Sequence, residues 1–588
     1  VLGRYDTVVV GGGTGGAPAG IAAARAGART LVIEYLHGLG GVGTLGRVAI
    51  YYHGNRAGFN IEVEEGVSAM AGDMTSRPGY KSDEFHQDFD IETKMEWLRR
   101  ELAVAGADVW FISLGVGSVV QGVRFKGVVV ATPQGRGVIL ANTVIDSTGN
   151  AVIPHAAGCE TQMIDGEHIA VQGTGLPPWT PGEDKQNSDW TFVLDDDVMD
   201  MWRTLVVAKK KKFSGAYDHG QLIDTRARRR IIGDIVISPM DIINQRVFPD
   251  VITVSKSRFD NHGFPSHDLF FILRQDRVES LYSNVPYRAL LPKGHDGILV
   301  TGLGMSAHAD AMPVMRMQRD IENHSYAAGY ASALAAREGT TVRKIDVEQL
   351  QRHLADIGTI PEELIGAKDS YPLSEAQIKA AVASVGRDYT GIAQILTQTE
   401  TALPLLREAH NRAEDETVRL RYAHVLGMLR DGTGVGTLIQ AVAKAQWDKG
   451  YNFSGFGNHQ QTTSPLDDVI IALGRTGDAR AMDVLIEKAR LLTPASDFSH
   501  CRALAIAFES IRDPRAAEPL ARLLRMPGVG GHAFREIQDV IQRTPGGLGD
   551  NSTRNVSLRE LILARALFRC GDQGGLGRKT LEAYSNDY

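Results

Sequence analysis

The stretch Tyr5-Asp-Thr-Val-Val-Val-Gly11-Gly-Gly-Thr-Gly-Gly16 decides the fold, together with the alanine-rich segment 17–28 and the run Arg29-Thr-Leu-Val-Ile-Glu34. The two β-branched runs predict short buried strands, and the alanines between them favour a helix. A strand, a glycine turn, a helix and a second strand, within residues 5–34, form a βαβ unit. Because such a unit crosses over right-handed, the sequence predicts a parallel sheet.

The glycines of this turn follow the spacing GxGxxG, at Gly11, Gly13 and Gly16. The first permits a tight turn, the second lets the backbone approach a pyrophosphate, and the third allows the helix to pack closely on the strand. Glu34 ends the second strand 23 residues after Gly11, where a carboxylate can accept ribose hydroxyls. The pattern predicts dinucleotide binding, and a purely structural glycine turn is the alternative.

The composition describes an ordinary globular protein. The 588 residues are 43% hydrophobic and 23% charged, with a net charge of −7, which excludes a fibrous or disordered chain. This charge provides no basic field for nucleic acid or an anionic membrane, so neither partner is expected. The three cysteines, Cys159, Cys501 and Cys570, cannot form a disulfide framework, a CxxC pair or a four-ligand zinc site. We expect no metal site and no thiol chemistry.

Membrane insertion is not expected either. The uncharged stretch 7–24 just reaches the length of a membrane span, but its glycines and proline make a poor lipid-facing helix. No signal-type segment is recognisable at the start of the sequence, which favours a cytoplasmic protein by default and leaves an exported form open.

The patterns along the chain divide it into three regions. Strand-like runs, a β-meander ending at Asp146 and a long helix over 320–337 predict an α/β Rossmann-like domain formed by residues 1–160 and 296–360. Residues 161–295 interleave aromatic, basic and short apolar runs, which predicts an inserted α+β substrate domain. Residues 361–588 repeat helix, Gly/Asp turn and helix, so they resemble an all-α domain of degenerate HEAT-type repeats. The turn aspartates are Asp431, Asp478, Asp513 and Asp572.

Further motifs follow in order: Leu39-Gly-Gly-Val-Gly-Thr-Leu-Gly46, Asp146-Ser-Thr-Gly149 and the segment 302–318, GLGMSAHADAMPVMRMQ. With the glycine turn and the segments 224–230 and 285–292, they make the first 360 or so residues resemble the FAD-dependent oxidoreductase family of the glutathione-reductase-like flavoprotein superfamily. The resemblance implies FAD as the cofactor.

The resemblance also implies which residues hold FAD. The glycine turn and Glu34 would hold the ADP half, and the backbone at Val116 would meet adenine. The segment 304–314 would approach the isoalloxazine ring, and the N-terminus of the following helix would lie near its O2, favouring an anionic reduced flavin. The other implied positions are Thr14, Gly15, Gly40, Gly41, Thr44, Arg47, Thr148, Gly149, Gly304, Asp310, Pro313 and Val314.

Because the flavin performs the redox step, the protein needs only to orient the substrate at flavin N5 and to take up a proton. His308 is the first candidate for the general base, with hydrogen bonding to FAD or backbone as the alternative. His53 is a base, a substrate ligand or a covalent flavin attachment, or a polar lining residue. Arg316 holds the flavin or a nearby carboxylate, or forms a structural ion pair. Tyr52 and Asn55, beside His53, complete the candidate catalytic set.

A run of arginines at 226 and 228–230 has two interpretations. Guanidinium groups bind carboxylate or phosphate bidentately, which suggests an anionic substrate. Ion pairing with acids such as Asp224 and Asp234 is the interpretation we favour.

The absence of a second GxGxxG between strand and helix, and of a CxxC, favours a dehydrogenase or oxidase over an NADPH-driven disulfide reductase. We expect a small polar substrate to be oxidised at a C–OH or C–NH carbon by hydride transfer to flavin N5. Proteins that this sequence resembles are frequent in bacteria that degrade carbohydrates. This association suggests a sugar-like substrate. Oxygen, a quinone or a carrier protein each fits as electron acceptor, and a homo-oligomer is possible. The alternatives are a fumarate-reductase-like reductase of an activated C=C bond and a flavin-stabilised scaffold acting through its helical repeats.

Overall fold

The computed structural model describes residues 1–75, 80–83, 86–163, 197–212, 215, 228–260, 264–273, 280–452, 462–546 and 552–585. The strands are β1 (Gly3–Val10), β2 (Thr30–Ile33), β3 (Ile50–Tyr52), β4 (His86–Asp88), β5 (Asp108–Trp110), β6 (Leu114–Gln121), β7 (Arg124–Thr132), β8 (Gly135–Asp146), β9 (Thr161–Gln162), β10 (Arg230–Ile231), β11 (Val251–Ser257), β12 (Leu281–Pro286) and β13 (Ile298–Val300). The α-helices are α1 (Gly16–Arg25), α2 (Phe59–Ala71), α3 (Ile91–Val104), α4 (Val152–Ala156), α5 (Val198–Val207), α6 (Pro239–Ile243), α7 (Gln318–Arg337), α8 (Val347–Asp356), α9 (Glu375–Val385), α10 (Ile392–Thr397), α11 (Thr399–Arg412), α12 (Glu416–Met428), α13 (Val435–Lys444), α14 (Pro465–Arg475), α15 (Met482–Arg490), α16 (Phe498–Ile511), α17 (Ala517–Arg525), α18 (Ile537–Arg543), α19 (Ser552–Arg569) and α20 (Leu576–Ser585).

A mixed sheet organises the N-terminal region. Within the described residues seven strands join it, in the order β5-β2-β1-β8-β7-β6, with β13 also paired to β8. Strands β5, β2, β1, β8 and β13 run parallel, whereas β6, β7 and β8 form an antiparallel meander. Val8 of β1 faces Leu31 on one side and Val144 on the other, and all three are fully buried. The carboxyl end of this central strand is therefore where a parallel sheet of this kind binds a ligand.

The predicted βαβ unit is confirmed as β1, α1 and β2. Helix α1 is shorter than the predicted range because the chain turns at Gly27, which has φ +91°. Helix α1 packs so closely on α7 that the two backbones touch. A Cβ on Gly329 of α7 would lie 2.0 Å from the carbonyl oxygen of Ala19 in α1. Two helices that touch so closely fix the position of the α7 N-terminus relative to the glycine turn.

The chain leaves the sheet between β8 and β13. In the described part of this region, β9 pairs with β10 and β11 with β12, both antiparallel. Arg246, which follows α6, forms ion pairs with Asp241 at 3.1 Å and with Asp369 at 2.9 Å. Asp369 lies between α8 and α9, so the inserted region is tied to the start of the C-terminal helices.

The C-terminal region, from α9 to α20, is helical in its described part. At three of its turns an aspartate caps the next helix: Asp431, Asp478 and Asp513 each accept a hydrogen bond from the backbone N–H two residues later. Asp572 has left-handed backbone and accepts the N–H of Gly577 instead. Because the aspartate side chain accepts a backbone N–H two residues later, it stabilises the turn that starts the next helix. This explains why aspartate recurs at these positions.

Three further properties concern the chemistry open to the chain. None of the helices in the described ranges has the length and apolarity of a membrane span. The same ranges hold no group of three or more His, Cys, Asp or Glu residues suited to a metal ion. Burial raises the pKa of Cys159 to about 11 and those of Cys501 and Cys570 to about 12. These thiols are therefore not nucleophilic near neutral pH.

Candidate active site

The glycine turn between β1 and α1 is shaped by close backbone contacts. Gly11 has φ +93°, and a Cβ there would lie 2.6 Å from the carbonyl oxygen of Ser147. A Cβ on Gly16 would lie 1.6 Å from the carbonyl oxygen of Gly11, so no side chain fits. Gly15, the N-cap of α1, leaves the first amides of the helix without a side-chain cap. The turn thus presents a positive helix N-terminus to the carboxyl end of β1.

Gly13 differs from its neighbours because the space beside it is open. The nearest protein atom to a Cβ built there is Gly41 Cα, at 3.7 Å. Gly149 is open as well, with no atom within 4 Å of its Cβ position. A Cβ on Gly11 would contact Ser147 and Thr148, so the turns that carry Gly13 and Gly149 are neighbours, and we call the open space beside them the glycine cradle. This cradle, lined by backbone amides, fits a pyrophosphate.

Glu34 is held against the glycine turn. Its carboxylate accepts the Gly12 N–H at 2.7 Å and the Leu36 N–H at 2.8 Å, and only 5% of the residue is exposed. Burial raises its pKa, and the backbone donors oppose that shift. The Tyr35 backbone is a further donor to this carboxylate. A carboxylate has about four acceptor positions, so acceptor capacity remains for a ribose hydroxyl.

The segment that contains Gly40, Gly41 and Thr44 packs on the glycine turn. The Gly40 N–H donates to the Gly12 carbonyl at 3.0 Å, and Thr14 Oγ1 donates to the Gly40 carbonyl at 3.1 Å. The buried Thr44 hydroxyl donates to backbone carbonyls within its own loop. The threonine side chains therefore shape the loop, and its backbone is left to face the cradle. Arg47, at the end of the loop, is half-buried and has φ +60°.

Asp146 shapes the turn that carries Thr148 and Gly149. This fully buried carboxylate accepts the N–H and the hydroxyl of Thr148 at 2.8 and 2.7 Å, and the N–H of Ile153 at 2.8 Å. Burial raises its pKa. The sequence interpretation used Asp146 only as a motif boundary, whereas the structure assigns it the positioning of this turn.

Val116 lies near the start of β6, next to Gly115, whose Cβ position is 2.4 Å from Val10 at the end of β1. It is 45% exposed, and Tyr35 and Ile112, which follow β2 and β5, are exposed as well. Backbone hydrogen bonds from Ile112 to Leu36 and from Ser113 to Glu34 join the chain after β5 to the ribose acid. An exposed apolar surface beside Glu34 suits the adenine ring expected there.

The segment 302–314 runs from β13 towards α7. Gly302 has φ +66°, and its N–H donates to His324 Nε2 at 2.9 Å. Burial lowers the pKa of His324 to about 3, so this imidazole is neutral and accepts the bond. Gly304 packs against Ala151, and Pro313 and Val314 are buried in a short turn before α7. The first turn of α7 has no side-chain cap, so its amides point towards the preceding segment.

His308 is fixed by its backbone and by a neighbouring imidazole. Its Nδ1 accepts the Asp310 N–H at 3.1 Å, and its ring meets that of His267 edge to face, with centroids 4.8 Å apart. Because a backbone N–H can only donate, neutral His308 carries its proton on Nε2. Asp310 is buried and accepts the N–H groups of Ser266 and His267 at 2.8 and 2.7 Å. Burial, together with His308, lowers the pKa of His267 to about 4.

Three further candidate catalytic residues interact with neighbouring charged or aromatic groups. They are His53, Tyr52 and Arg316. Burial and the nearby Arg258 lower the pKa of His53 to about 4. Tyr52 contacts the His86 ring edge to face, with centroids 5.6 Å apart, and burial raises its pKa. Arg316 donates to Asp260 through the backbone oxygen at 2.9 Å and the carboxylate at 3.1 Å.

Asn55, in the loop after β3, forms hydrogen bonds to both β11 and α7. Its side-chain amide donates to the Val254 carbonyl of β11 at 2.7 Å, and its N–H donates to Asp320 of α7 at 2.9 Å. The structure thus places His308 beside His267, and Arg316 on Asp260. His267 and Asp260 were missed by the sequence reasoning because each stands alone in an irregular segment with no motif around it. The catalytic and cofactor roles of the predicted residues stay predictions.

A buried ion pair supports this part of the molecule. Lys94 Nζ lies 2.9 Å from Glu322 and 2.9 Å from the Tyr51 hydroxyl, and that hydroxyl donates to Glu322 at 2.9 Å. Asn60 donates to the same carboxylate at 2.6 Å. Lys94 and Glu322 are both about 1% exposed, so α3, β3 and α7 are joined by a fully desolvated network.

The arginine run is described only in part. Asp234, one of the acids expected to pair with it, forms an ion pair with Arg343. Arg226 and Asp224 lie outside the described residues. Arg230 is 3% exposed, and burial lowers its pKa to about 10, partly offset by Asp310. Among the described residues Asp234 thus pairs with Arg343, and Arg230 points inward from β10. Ion pairing of the run with Asp224 or Asp234 stays a prediction.

The glycine cradle at the end of a central parallel strand, with an acid at the end of the next strand, defines a dinucleotide-binding enzyme of the Rossmann type. A family model described as FAD dependent oxidoreductase matches residues 6–199 and 198–354, more than half of the chain. The chain belongs to this family: it is an FAD-dependent oxidoreductase, and FAD is its cofactor. No curated protein matches the chain.

Solved structures resemble the chain at low levels. A geranylgeranyl bacteriochlorophyll reductase-like protein from Thermoplasma acidophilum is 13% identical over 70% of this chain and 97% of its own, with a TM-score of 0.32. OxyS anhydrotetracycline hydroxylase from Streptomyces rimosus is 13% identical over 79% and 84%, with a TM-score of 0.30. THI4 from Thermovibrio ammonificans is 22% identical over 30% and 68%, with a TM-score of 0.22. Similarities of this size do not identify a substrate.

Proposed function

We propose that this FAD-dependent oxidoreductase oxidises a small polar substrate, at a C–OH or C–NH carbon, by hydride transfer to flavin N5. The observation that carries the proposal is the combination of two features: open space beside Gly13 and Gly149, and the segment 302–314, in which the half-buried His308 contacts His267. A sugar-like substrate is the class that the family resemblance adds.

Bound FAD supplies the hydride acceptor. The chain's own part begins with binding, in which the amides of the glycine turn and of α1 hold the pyrophosphate and Glu34 holds the ribose. The uncapped N-terminus of α7 presents positive dipole to the segment 302–314, which favours negative charge there.

Proton handling falls to the histidines. At neutral pH His53 is unprotonated, because its pKa of about 4 keeps the imidazole in the accepting form. His308 in the observed arrangement presents Nε2–H, which suits donation to a substrate oxygen. Acting as the general base would require its ring to turn, so that the Asp310 N–H no longer occupies the accepting nitrogen. We propose His308 and His53 as the pair that orients and deprotonates the substrate.

The remaining assignments are proposals of the same kind. The strand arrangement supports placing the FAD-binding part in the glutathione-reductase-like superfamily. The recurring aspartate turns of α12 to α17 support HEAT-like repeats for residues 361–588. The boundaries at 160, 295 and 360 are proposed from the same patterns.

The test uses the purified full-length protein. A flavin absorption spectrum, with FAD released on denaturation, checks the cofactor in this preparation. Anaerobic mixing with alcohols, amines and sugars should then bleach the bound flavin. Reduction by none of them, combined with reoxidation of dithionite-reduced enzyme by enoates, would favour the C=C reductase. The variants His308→Gln and His53→Gln should slow bleaching without loss of FAD, with Arg412→Gln as a surface control.

A further inference from the structure

A cavity of about 340 Å³ lies where the turn containing Phe264 and Ser266 meets the C-terminal helices. Among its described lining residues Glu509 is the carboxylate, and Arg565 binds both of its oxygens, at 2.7 and 2.9 Å. The arginines that line the cavity are Arg430, Arg475, Arg502, Arg512, Arg565 and Arg569. Arg569 also lies 3.4 Å from Glu509, and Arg475 lies 3.2 Å from the Asp268 carboxylate beside the cavity. Six guanidinium groups against these two carboxylates leave the wall positive.

Four of these arginines occupy the same place in successive helical units. Arg430 follows α12, Arg475 ends α14, Arg512 follows α16, and Arg569 ends α19. Stacking of helical units brings equivalent positions to one edge, so a repeated arginine builds a cationic wall. Arg512 donates to the Glu509 carbonyl of its own helix at 3.4 Å, and Arg475 lies 3.2 Å from the Asp268 carboxylate.

Arg502 of α16 forms the deepest part of the wall. It is 8% exposed, and its Nη2 donates to the Pro265 carbonyl at 2.8 Å. Its Nη1 is buried without a hydrogen-bond partner in the described structure. The guanidinium carbon lies 5.1 Å and 5.4 Å from the ring centroids of Phe264 and Phe271. A buried guanidinium with an unused donor beside a cavity provides a hydrogen bond for an acceptor placed there.

We propose that this cavity binds a small polyanion, a compound carrying two or more phosphate or carboxylate groups. Guanidinium forks match both groups in geometry and charge. Several like charges in a partly desolvated wall repel one another, and an anion placed among them removes that repulsion. The volume lies within the usual range for small-ligand sites. The lining residues are separate from the glycine cradle, so this is a second site on the FAD-loaded enzyme.

Calorimetric titration of the full-length, FAD-loaded protein with sodium pyrophosphate and with citrate tests the proposal. FAD must be bound so that pyrophosphate does not enter the glycine cradle. We expect a dissociation constant below about 100 μM for at least one probe at low salt, weakened at about 0.5 M salt because screening is strong there. Binding of only one probe assigns the ligand to the phosphate or to the carboxylate class.

The variants Arg475→Gln and Arg502→Met should each weaken binding about tenfold or more. If the Arg502→Met variant does not fold, the double variant Arg430→Gln and Arg512→Gln, at two exposed positions, replaces it and should likewise weaken binding. Arg412→Gln, which removes an exposed arginine from the end of α11, should bind as the wild type does. The proposal is wrong if neither probe binds at millimolar concentration, if the cavity variants bind within twofold of wild type, or if Arg412→Gln weakens binding equally.

Discussion

The most direct test of the cofactor site is the substitution Gly13→Ala. A Cβ at Gly13 would meet no protein atom closer than 3.7 Å, and Gly13 does not have positive φ. The folded protein should therefore tolerate alanine, with stability unchanged or raised by about 0.4–1 kcal/mol through the unfolded chain. The new methyl group would instead occupy the space that the pyrophosphate needs.

The cost to FAD binding follows from the hydrogen bonds displaced. A hydrogen bond from a backbone N–H to a charged phosphate contributes about 1.5–3 kcal/mol. Losing one or two of them corresponds to about 3 kcal/mol, or roughly a hundredfold weaker binding. Titration of deflavinated protein with FAD, followed by flavin fluorescence, measures this loss.

Two matched glycines control the experiment. Gly16→Ala should prevent folding, because its Cβ would lie 1.6 Å from the Gly11 carbonyl oxygen. Gly436→Ala, at an exposed position of α13 with no atom within 4 Å of the Cβ, should leave FAD binding unchanged. If Gly13→Ala folds and binds FAD with wild-type affinity, the pyrophosphate does not lie on this turn. Failure of Gly13→Ala to fold would equally refute the reasoning about open space.

Three other predictions concern stability. Because burial lowers the pKa of His324 from 6.5 to about 3, stability should fall as pH drops from 6.5, by about 1.4 kcal/mol per unit from this residue, and urea unfolding of His324→Gln should show a shallower loss. Lys94→Met should destabilise the fold by about 3–5 kcal/mol, since it leaves Glu322 buried without its cation, and Lys94→Met with Glu322→Gln should recover part of this in denaturant midpoints. Burial lowers the pKa of His500, but the Asp467 carboxylate 2.7 Å away raises it by more, so the pKa of His500 is raised overall. The pair should stabilise the fold fully below pH 6.5 and lose this stabilisation as pH rises through the folded pKa. Thermal melts of His500→Gln should lack this pH dependence.

The sequence was sufficient for features that depend on local pattern. The strand β1, the glycine turn and Glu34 were predicted because each follows from residue type and spacing within 30 residues. Long-range partners were not accessible in this way. Lys94 pairs with Glu322, 228 residues away, and a buried lysine has no local signature. His267 meets His308 because a distant turn folds back, which no periodicity in either segment indicates.

The relation of the C-terminal helices to the flavin-binding region follows from the turn at 264–269. On one side, Asp310 holds the N–H groups of Ser266 and His267. On the other, Arg502 binds the Pro265 carbonyl, and Arg475 lies 3.2 Å from the Asp268 carboxylate. The turn that fixes the neighbour of His308 is thus held between the two regions. The helical region therefore forms part of the structure around the candidate active site, which argues against a separate docking arm that could be removed without effect on the chemistry.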